Sequence, residues 1–564
     1  MSTIDWIVLC GFTGFIVFFG IWKTHKTKNT DEYLRAGKTS SWWVVALSIM
    51  ATQASAITFL STPGQAYVDG MRFVQFYIGL PIAMIILSIT AVPVYSKLNV
   101  FTAYEYLEIR FDLKNRILGS VLFLTQRGLA AGFTIYAPAL ILSVILGWNI
   151  HTTIILMGLL VILYTTIGGS SAVNKTHILQ MIIITAGMFT AFFMIIAFLS
   201  KEISFIDAAH IAGKMGKLNV IDFSFNLSDR YTFWSGLIGG TFLMLSYFGT
   251  DQSQVARYLA ARNITQSRMG LLVNGLVKVP MQFVILFIGA MVFVFFQFVT
   301  PPLFFNPVET KNVKSGNFSE QYIALEQEYG MLHLEKKNII SEMVNNNSVS
   351  EIIYQKKLLE LEQKGNQVRD EAKLLIKKNN PSADLNDTNY IFITYIVNYL
   401  PLGLIGLLLA AILAASMSST SAELNSLSST TMVDIYKRLI NKNGTDEHYL
   451  KFSKLATVGW GFYAIIFALF ANELGSLIEA VNILGSLVYG TILGIFLTAF
   501  YTKKIIGHSV FFAAIISELV VLYSYFFTDI PFLWYNVIGC ILVFLISSLI
   551  NPVITAKTKS KTIG

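Results

Sequence analysis

Thirteen apolar stretches constrain this chain more than any other feature, because each is close to the roughly 20 residues that a helix needs to span a bilayer. They recur along nearly all of its 564 residues, of which 54% are hydrophobic and 13% are charged. Soluble domains usually carry about 25% charged residues. The sequence therefore predicts an all-α polytopic membrane protein and excludes a string of soluble domains.

Each predicted span is an apolar run between polar or turn-forming segments. The spans cover residues 5–22, 42–62, 72–95, 117–146, 151–167, 177–199, 233–250, 270–298, 392–418 (continuing as a helix to about 438), 452–471, 475–501, 507–527 and 533–552. The first lacks a basic leader and a small-residue cleavage site, so we expect a retained span and no cleaved signal peptide. Cys10 and Cys540 lie in apolar stretches and predict neither a disulfide framework nor a metal site.

Basic residues fall in alternate loops, which indicates the orientation in the membrane. The basic loops follow the first, third, seventh, ninth and eleventh predicted spans, and the C-terminal tail is also basic. The positive-inside rule then places the N-terminus outside the inner (plasma) membrane and the C-terminus in the cytoplasm. The net charge of +8 thus reflects orientation, and we expect neither a nucleic-acid partner nor an obligatory protein partner.

The run from Ala415 to Asn425, Ala-Ser-Met-Ser-Ser-Thr-Ser-Ala-Glu-Leu-Asn, carries hydroxyls into the ninth span. Buried hydroxyls are costly in hydrocarbon unless something uses them. A dehydrated cation such as Na⁺ would use them, because hard cations prefer oxygen ligands. The same small residues would also let helices pack closely, so the run alone leaves both interpretations open.

Two spans are predicted to contain broken helices. The second contains Ala51-Thr-Gln-Ala-Ser-Ala-Ile-Thr58 and closes with Pro63-Gly64, and the seventh contains Ser246-Tyr-Phe-Gly-Thr-Asp-Gln252. A break at membrane depth frees backbone groups that can bind ions or substrate where they line a cavity. The two segments lie five spans apart, and matched interruptions in two halves are typical of an inverted-repeat transporter.

Four titratable side chains lie within spans or at their edges. Arg127 in the fourth span suits an anionic substrate or a structural ion pair. Glu423 lies one turn past Ser419, His177 opens the sixth span, and Lys278 precedes Pro280 without a specific predicted role. The sequence contains no Walker motif, metal-ligand cluster or nucleophile elbow, so neither an ATP-driven pump nor a hydrolase is favoured.

These motifs together resemble the sodium/solute symporter family over nearly the full chain. The matching segments are Gly37-Lys-Thr-Ser-Ser-Trp-Trp43, Gly168-Gly-Ser-Ser-Ala-Val173, Gln252-Ser-Gln-Val-Ala-Arg-Tyr258, Leu424-Asn-Ser426 and Val433-Asp-Ile-Tyr436. Ile135-Tyr-Ala-Pro-Ala-Leu-Ile-Leu142 and Gly249-Thr-Asp-Gln252 are similar to the branch that holds the iodide, multivitamin and monocarboxylate carriers. The resemblance implies a LeuT-type fold of two inverted five-helix repeats with accessory helices.

The resemblance also implies how the chain divides. The expected parts are a first accessory span and cytoplasmic loop (1–36), a first inverted repeat with core helices 1–5 (37–200), an external loop and core helices 6–7 (201–298), a long extracellular polar insertion (299–391), core helices 8–10 (392–502), and two accessory spans with a basic tail (503–564). Residues 318–378 of the insertion have helical periodicity with intermixed charges. They predict either a small helical hairpin or a solvated insertion without direct chemistry.

A sodium site follows from the same resemblance. Its implied ligands are the backbone carbonyls of Ala51, Ala54 and Ala415 and the hydroxyls of Ser418 and Ser419. The chain departs from the family's second sodium site, because His177 stands where family members often have an aspartate and Ala422 replaces another ligand, whereas Ser421 keeps one. We expect Glu423 to bind a second Na⁺ with Ser421, to pair with His177, or to face cytoplasmic water.

The substrate site is expected between the broken helices. Its predicted residues are Gln53, Thr58, Tyr77, Arg127, Tyr247 and Asn482, of which Tyr247 and Asn482 match the aromatic gate and a substrate-contacting residue of the bacterial sodium/galactose symporter. Two sugar-binding residues of that carrier are replaced by Thr58 and Ile78, which disfavours a hexose.

The sequence therefore predicts a symporter that imports a small anionic solute with Na⁺ by alternating access, and not an enzyme. The alternative within transport is a sodium-coupled carrier of a neutral sugar, polyol or amino acid. A more remote alternative is a transporter-like membrane sensor that signals through residues 299–391.

Overall fold

The computed structural model describes residues 1–24, 38–226, 228–345, 351–470 and 476–563. The α-helices are α1 (Thr3–Thr24), α2 (Trp42–Gln53), α3 (Ala56–Asp69), α4 (Leu80–Ile89), α5 (Ala91–Leu98), α6 (Ala103–Arg110), α7 (Leu113–Leu146), α8 (Ile150–Leu199), α9 (Phe205–Lys214), α10 (Gly240–Gly249), α11 (Gln252–Leu259), α12 (Ile264–Phe298), α13 (Pro307–Lys314), α14 (Ser319–Asn345), α15 (Glu351–Asn379), α16 (Thr388–Tyr399), α17 (Leu404–Thr430), α18 (Asp446–Ala468), α19 (Leu477–Tyr501), α20 (Gly507–Phe527) and α21 (Phe532–Ile563). Extended pairing in the described ranges is limited to one bridge between Ser40 and Ala261. The all-α prediction is confirmed.

Nine helical stretches in the described part of the chain are long and apolar enough to cross a membrane. Three further predicted spans contain shorter apolar helices, at Thr3–Phe15, Trp42–Gln53 and Ser235–Gly249. The predicted span 452–471 lies largely in α18. The predicted spans 151–167 and 177–199 both belong to the single helix α8, so the turn expected between them is not seen. The side chains of 168–179, including that of His177, lie outside the described residues.

Both predicted helix breaks are confirmed. Helix α2 ends at Gln53 and α3 begins at Ala56, with Ala54 and Ser55 in non-helical conformations between them. Helix α10 ends at Gly249, and α11 begins at Gln252 after the N-cap residue Asp251. The sequence places polar and small residues at these points because a broken membrane helix must satisfy its freed backbone groups.

Tyrosine hydroxyls satisfy the backbone carbonyls freed by the second break. Tyr95 donates to the carbonyl of Gly249 at 2.7 Å, and Tyr104 donates to that of Thr250 at 2.8 Å. The Asp251 carboxylate accepts the Ser253 amide at 2.8 Å and so caps α11. The break is therefore a fixed feature of the fold with satisfied polar groups.

Helix α17 occupies the centre of the molecule and contacts α1, α7, α8 and α18. Every residue from Leu408 to Thr430 is buried, including all the hydroxyls of the serine-rich run. Helix α7 lies on one side of it, because Ser416 and Thr420 donate to the Thr134 carbonyl at 3.0 and 3.2 Å. This packing brings the α17 side chains to the middle of the bundle.

The polar segment that follows α12 forms a helical subdomain. Helices α14 and α15 pack against each other over a small core of their own, beside α13. Arg369 of α15 donates to the Asp387 carboxylate at 2.7 Å, and the same carboxylate accepts the Phe305 amide. His333 of α14 is buried there, and burial beside Lys336 lowers its pKa to about 4. The predicted helical periodicity of 318–378 is confirmed.

Candidate functional site

A central cavity of about 110 Å³ lies at the two helix breaks. Residues from α2, α3, α4, α7, α10, α12, α17 and α19 and from the 3-10 helix Gly70–Tyr77 form its wall. It gathers all six predicted substrate residues, which are Gln53, Thr58, Tyr77, Arg127, Tyr247 and Asn482. The sequence thus located the wall of this cavity, although these residues are up to 429 positions apart (53 to 482) in the chain.

Most of these six side chains already have partners within the protein. The Thr58 hydroxyl donates to the Gln53 carbonyl at 3.0 Å, and the Asn482 amide donates to the Ile478 carbonyl at 2.7 Å. Tyr247 accepts the Gln254 amide at 2.7 Å. Their remaining lone pairs and ring faces can still contact a solute, so the arrangement suits a small polar molecule.

Arg127 is held by two buried carboxylates. Its Nε donates to Asp251 Oδ2 at 3.0 Å and its Nη1 donates to Glu423 Oε1 at 3.0 Å. Its Nη2 also donates to Asp251 and to the Tyr489 hydroxyl, and its guanidinium lies over the Tyr247 ring at 5.4 Å. The geometry is that of a structural ion network, one of the two roles that the sequence left open for Arg127.

The two carboxylates depend on Arg127 to different extents. Asp251 also accepts the amide and hydroxyl of Ser253 at 2.8 and 2.6 Å and the Tyr489 hydroxyl at 2.7 Å. Glu423 has one further described partner, the Thr134 hydroxyl at 2.9 Å from Oε2. Glu423 is 5% exposed, so the expectation that it faces cytoplasmic water is wrong in this structure.

The candidate sodium ligands lie at the α2–α3 break and on the facing part of α17. Ala51, Ala54 and Ala415 are all buried. A helix end leaves its last carbonyls without intrahelical donors, and the break at Ala54 is such an end. The carbonyl groups near it are therefore available to a cation.

Two serine hydroxyls on α17 strengthen this interpretation. Among the described residues, those of Ser418 and Ser421 have no hydrogen-bond partner, although they are 1% and 0% exposed. The Ser419 hydroxyl donates to the Ser416 carbonyl at 3.0 Å and keeps its lone pairs. Unpartnered buried oxygens are costly, so hydroxyls and carbonyls in this arrangement fit a Na⁺ ion.

Ser421 and Glu423 project in different directions. They are two residues apart on a helix, which separates them by about 200°. Glu423 points toward α7, where it meets Arg127 and Thr134. The helix therefore does not present these two side chains together.

Sequence reasoning gave no role to Lys278, and it did not single out Asp251. Lys278 lies on α12, lines the central cavity and is 2% exposed. No hydrogen bond or ion pair to another described residue engages its ammonium group. A lysine within an apolar span was the available signal, since a charged residue at that depth usually has a functional partner.

Comparisons with known proteins agree with this geometry. The sodium:solute symporter family model matches residues 33–324 and 375–517. A sodium/sialic acid symporter of Aliivibrio fischeri is 26% identical over 558 residues, which cover 98% of this chain and 93% of that protein. The Xenopus laevis sodium-coupled monocarboxylate transporter 1 is 36% identical over 247 residues, or 44% of this chain and 39% of that protein.

A solved structure has the same fold. It is the substrate-bound, outward-open state of a Na⁺-coupled sialic acid symporter, with a TM-score of 0.74 and 23% sequence identity. The match covers 98% of both chains. The helical arrangement around the central cavity is therefore shared along nearly the whole length.

Proposed function

Because this chain belongs to the sodium:solute symporter family, we propose that it imports a small anionic solute together with Na⁺. Membership makes the protein an integral membrane transporter that is coupled to sodium, and not an enzyme. Two of its relatives, a sialic acid symporter and a monocarboxylate transporter, are named for anionic solutes. The proposal concerns the substrate class, the site residues and the topology.

The proposed topology has thirteen spans, of which ten form a LeuT-type pair of inverted repeats. It places a turn between 151–167 and 177–199, where the structure instead continues helix α8. The alternating basic loops support an outside N-terminus and a cytoplasmic C-terminus. On this topology the subdomain of α13–α15 is extracellular, and the end of the bundle that holds α6 and α11 is cytoplasmic. The helix breaks, five predicted spans apart, support the repeat.

The proposed sodium ligands are the carbonyls of Ala51, Ala54 and Ala415 and the hydroxyls of Ser418 and Ser419. The unpartnered, buried Ser418 hydroxyl supports this site, because a cation would satisfy it. When bound, Na⁺ would link α17 to the α2–α3 break and so favour conformers in which these helices are close. This linkage would couple sodium binding to the shape of the central cavity.

The unpaired ammonium of Lys278 carries the proposal of an anionic substrate. A buried charge needs a partner, and Arg127 cannot serve the solute without leaving Asp251 or Glu423. Lys278 lines the same cavity and meets no described counter-ion. A carboxylate or similar anion in the cavity would provide that counter-ion and accept hydrogen bonds from the ammonium.

We further propose that Arg127 shapes the cavity and that the other five predicted residues contact the solute. Ser421 remains a candidate ligand of a second Na⁺, because its hydroxyl is buried and unpartnered among the described residues. Glu423 would act on that ion through the field of its charge and not as a shared ligand. His177 lies outside the described side chains, so its pairing with Glu423 stays a prediction.

Uptake in proteoliposomes tests this function. Labelled anions and their uncharged analogues would be offered with and without an inward sodium gradient. We expect sodium-dependent uptake of a labelled anion and no such uptake of its uncharged analogue. Lys278→Met should raise its half-saturation concentration about 10- to 100-fold, since hydrogen bonds to charged groups contribute about 1.5–3 kcal/mol.

Two further variants control this experiment. Lys278→Arg keeps the charge and should retain part of the affinity. Lys336→Met removes a lysine that pairs with Glu362 outside the cavity, and it should leave affinity unchanged. Transport of uncharged solutes alone, or wild-type anion affinity in Lys278→Met, would refute the substrate class.

A further inference from the structure

An apolar groove of about 760 Å³ lies on the outside of the bundle, between α8 and α12. It extends inward to Met50 of α2 and Phe59 of α3, on either side of the first helix break. Among the lining residues that the structure describes, Thr185 has the only polar side chain. Pro280 lies on the α12 wall, where it removes one helical hydrogen bond because proline has no backbone N–H.

The groove opens to the hydrocarbon of the bilayer. Ile182 of α8 and Leu276 of α12 flank it and are 61% and 68% exposed. Both belong to stretches that are long and apolar enough to span a membrane, Gln180–Leu199 and Ile264–Phe298. Exposed apolar side chains at that depth face lipid tails. The groove is therefore in contact with the acyl chains of the bilayer.

The lining is rich in methionine, which suits a flexible apolar ligand. Met50, Met181, Met188 and Met281 all line the groove. Methionine side chains are unbranched and polarizable, and they adapt to ligands of irregular shape. Three of the four are buried, so the groove is a recess behind the lipid-facing surface.

The length of the groove matches one leaflet. Its wall on α8 runs from Met181 to Phe189, which is about 12 Å at the rise of an α-helix. One leaflet of the hydrocarbon core is about 15 Å thick, half of the roughly 30 Å total. A single acyl chain can thus lie along most of the groove.

We propose that this groove binds one acyl chain of a bilayer phospholipid and that the bound chain holds α2 in its position beside the sodium site. Met50 lines the groove and directly precedes Ala51, whose carbonyl is a proposed sodium ligand. Filling the groove restricts α2 and thereby keeps that carbonyl near Ser418. The effect on α2 rests on the proposed sodium site, whereas the binding of the acyl chain does not.

Photolabelling in proteoliposomes tests the binding. The probe is phosphatidylcholine with a diazirine in one acyl chain, and adducts are mapped by mass spectrometry. We expect adducts at the buried Met50 and Met188. Ala186→Trp places an indole across the path of the acyl chain and should remove at least nine-tenths of them, whereas Ala197→Trp, at an exposed alanine of α8 outside the groove, should keep them.

Two labelling results would overturn the site. One is a pattern confined to exposed residues such as Ile182 and Leu276. The other is labelling of Met50 by a photoreactive free fatty acid but not by the phospholipid, which would assign the groove to a different ligand. Ala186→Met, a smaller change, repeats the comparison if Ala186→Trp does not fold.

Sodium binding tests the effect on α2. We expect Ala186→Trp to raise the half-saturating sodium concentration at least threefold and Ala197→Trp to leave it unchanged. Loss of the adducts without any change in sodium affinity would overturn the link to the sodium site. If Ser418→Ala retains normal sodium affinity, the proposed sodium site fails instead, and the photolabelling still decides whether the acyl chain is bound.

Discussion

Replacing Arg127 by glutamine tests whether this residue stabilises the fold or recognises the substrate. The substitution removes the guanidinium that contacts both buried carboxylates and the Tyr489 hydroxyl. Breaking a buried ion pair by removing one partner typically costs about 3–5 kcal/mol, because an uncompensated charge is left behind. We expect Arg127→Gln to lower the free energy of unfolding by about that amount.

The structure also predicts how this cost divides between the two acids. Without Arg127, Asp251 keeps the amide and hydroxyl of Ser253 and the Tyr489 hydroxyl. Glu423 keeps only the Thr134 hydroxyl among its described partners. Most of the penalty should therefore fall on Glu423. Adding Glu423→Gln to Arg127→Gln should restore more than half of the lost stability, and adding Asp251→Asn should restore less.

The assay is equilibrium unfolding of the purified protein in mixed detergent micelles, followed by tryptophan fluorescence. Uptake is measured on the same preparations. The two double variants are matched controls, since each neutralises one carboxylate of the same network. Unfolding free energy within 1 kcal/mol of wild type in Arg127→Gln, together with lost substrate binding, would refute the structural role. Equal rescue by the two double variants would refute the unequal division.

Replacing Ser418 and Ser419 together by alanine should abolish sodium-dependent uptake with little change in melting without sodium, because alanine keeps the helix and removes two oxygen ligands. The control is Ser426→Ala, whose hydroxyl donates to the Ala422 carbonyl on the same helix, and a similar loss there would refute the assignment. In the subdomain of α13–α15, the lowered pKa of His333, about 4 against 6.5 when unfolded, means that the unfolded state binds more protons between these values. His333 should thus lower the stability of that subdomain, measured by hydrogen exchange, as pH drops from about 6.5 to 4, whereas Asp384, whose pKa burial raises to about 7, acts in the opposite direction. Wild type should therefore lose more stability, or gain less, than His333→Leu over this interval.

The sequence was most informative where membrane depth limits what a residue can do. Polar and small residues at Ala51–Thr58 and Ser246–Gln252 have few roles in hydrocarbon, so they predicted helix breaks that the structure contains. The resemblance to a family then placed six distant residues on one wall, and they do line one cavity.

The sequence did not predict which charged residues pair with each other. Arg127, Asp251 and Glu423 come from three helices, and no local pattern shows which of them meet. Glu423 was considered with Ser421 because they are close in sequence, although a helix turns them to different sides. Lys278 was recognised as a lysine within a span, but only the fold places it at the cavity. Pairings of this kind require the packing of helices to be known.

The charges around the cavity explain why an anion and Na⁺ would travel together. The formal charges of Arg127, Lys278, Asp251 and Glu423 sum to zero, although Lys278 forms no ion pair with either carboxylate in the described part of the chain. A monoanion with one Na⁺ preserves that neutrality, whereas a neutral solute with one Na⁺ leaves a net positive charge at low dielectric. Electroneutral transport of a monoanion with one Na⁺ limits how far the solute can be accumulated. Only the sodium gradient drives it, which supplies about 1.4 kcal/mol for a tenfold ratio. A second Na⁺ would add the membrane potential, about 2.3 kcal/mol per 100 mV. The buried Ser421 hydroxyl is an unpartnered oxygen among the described residues, one turn along α17 from Ser418.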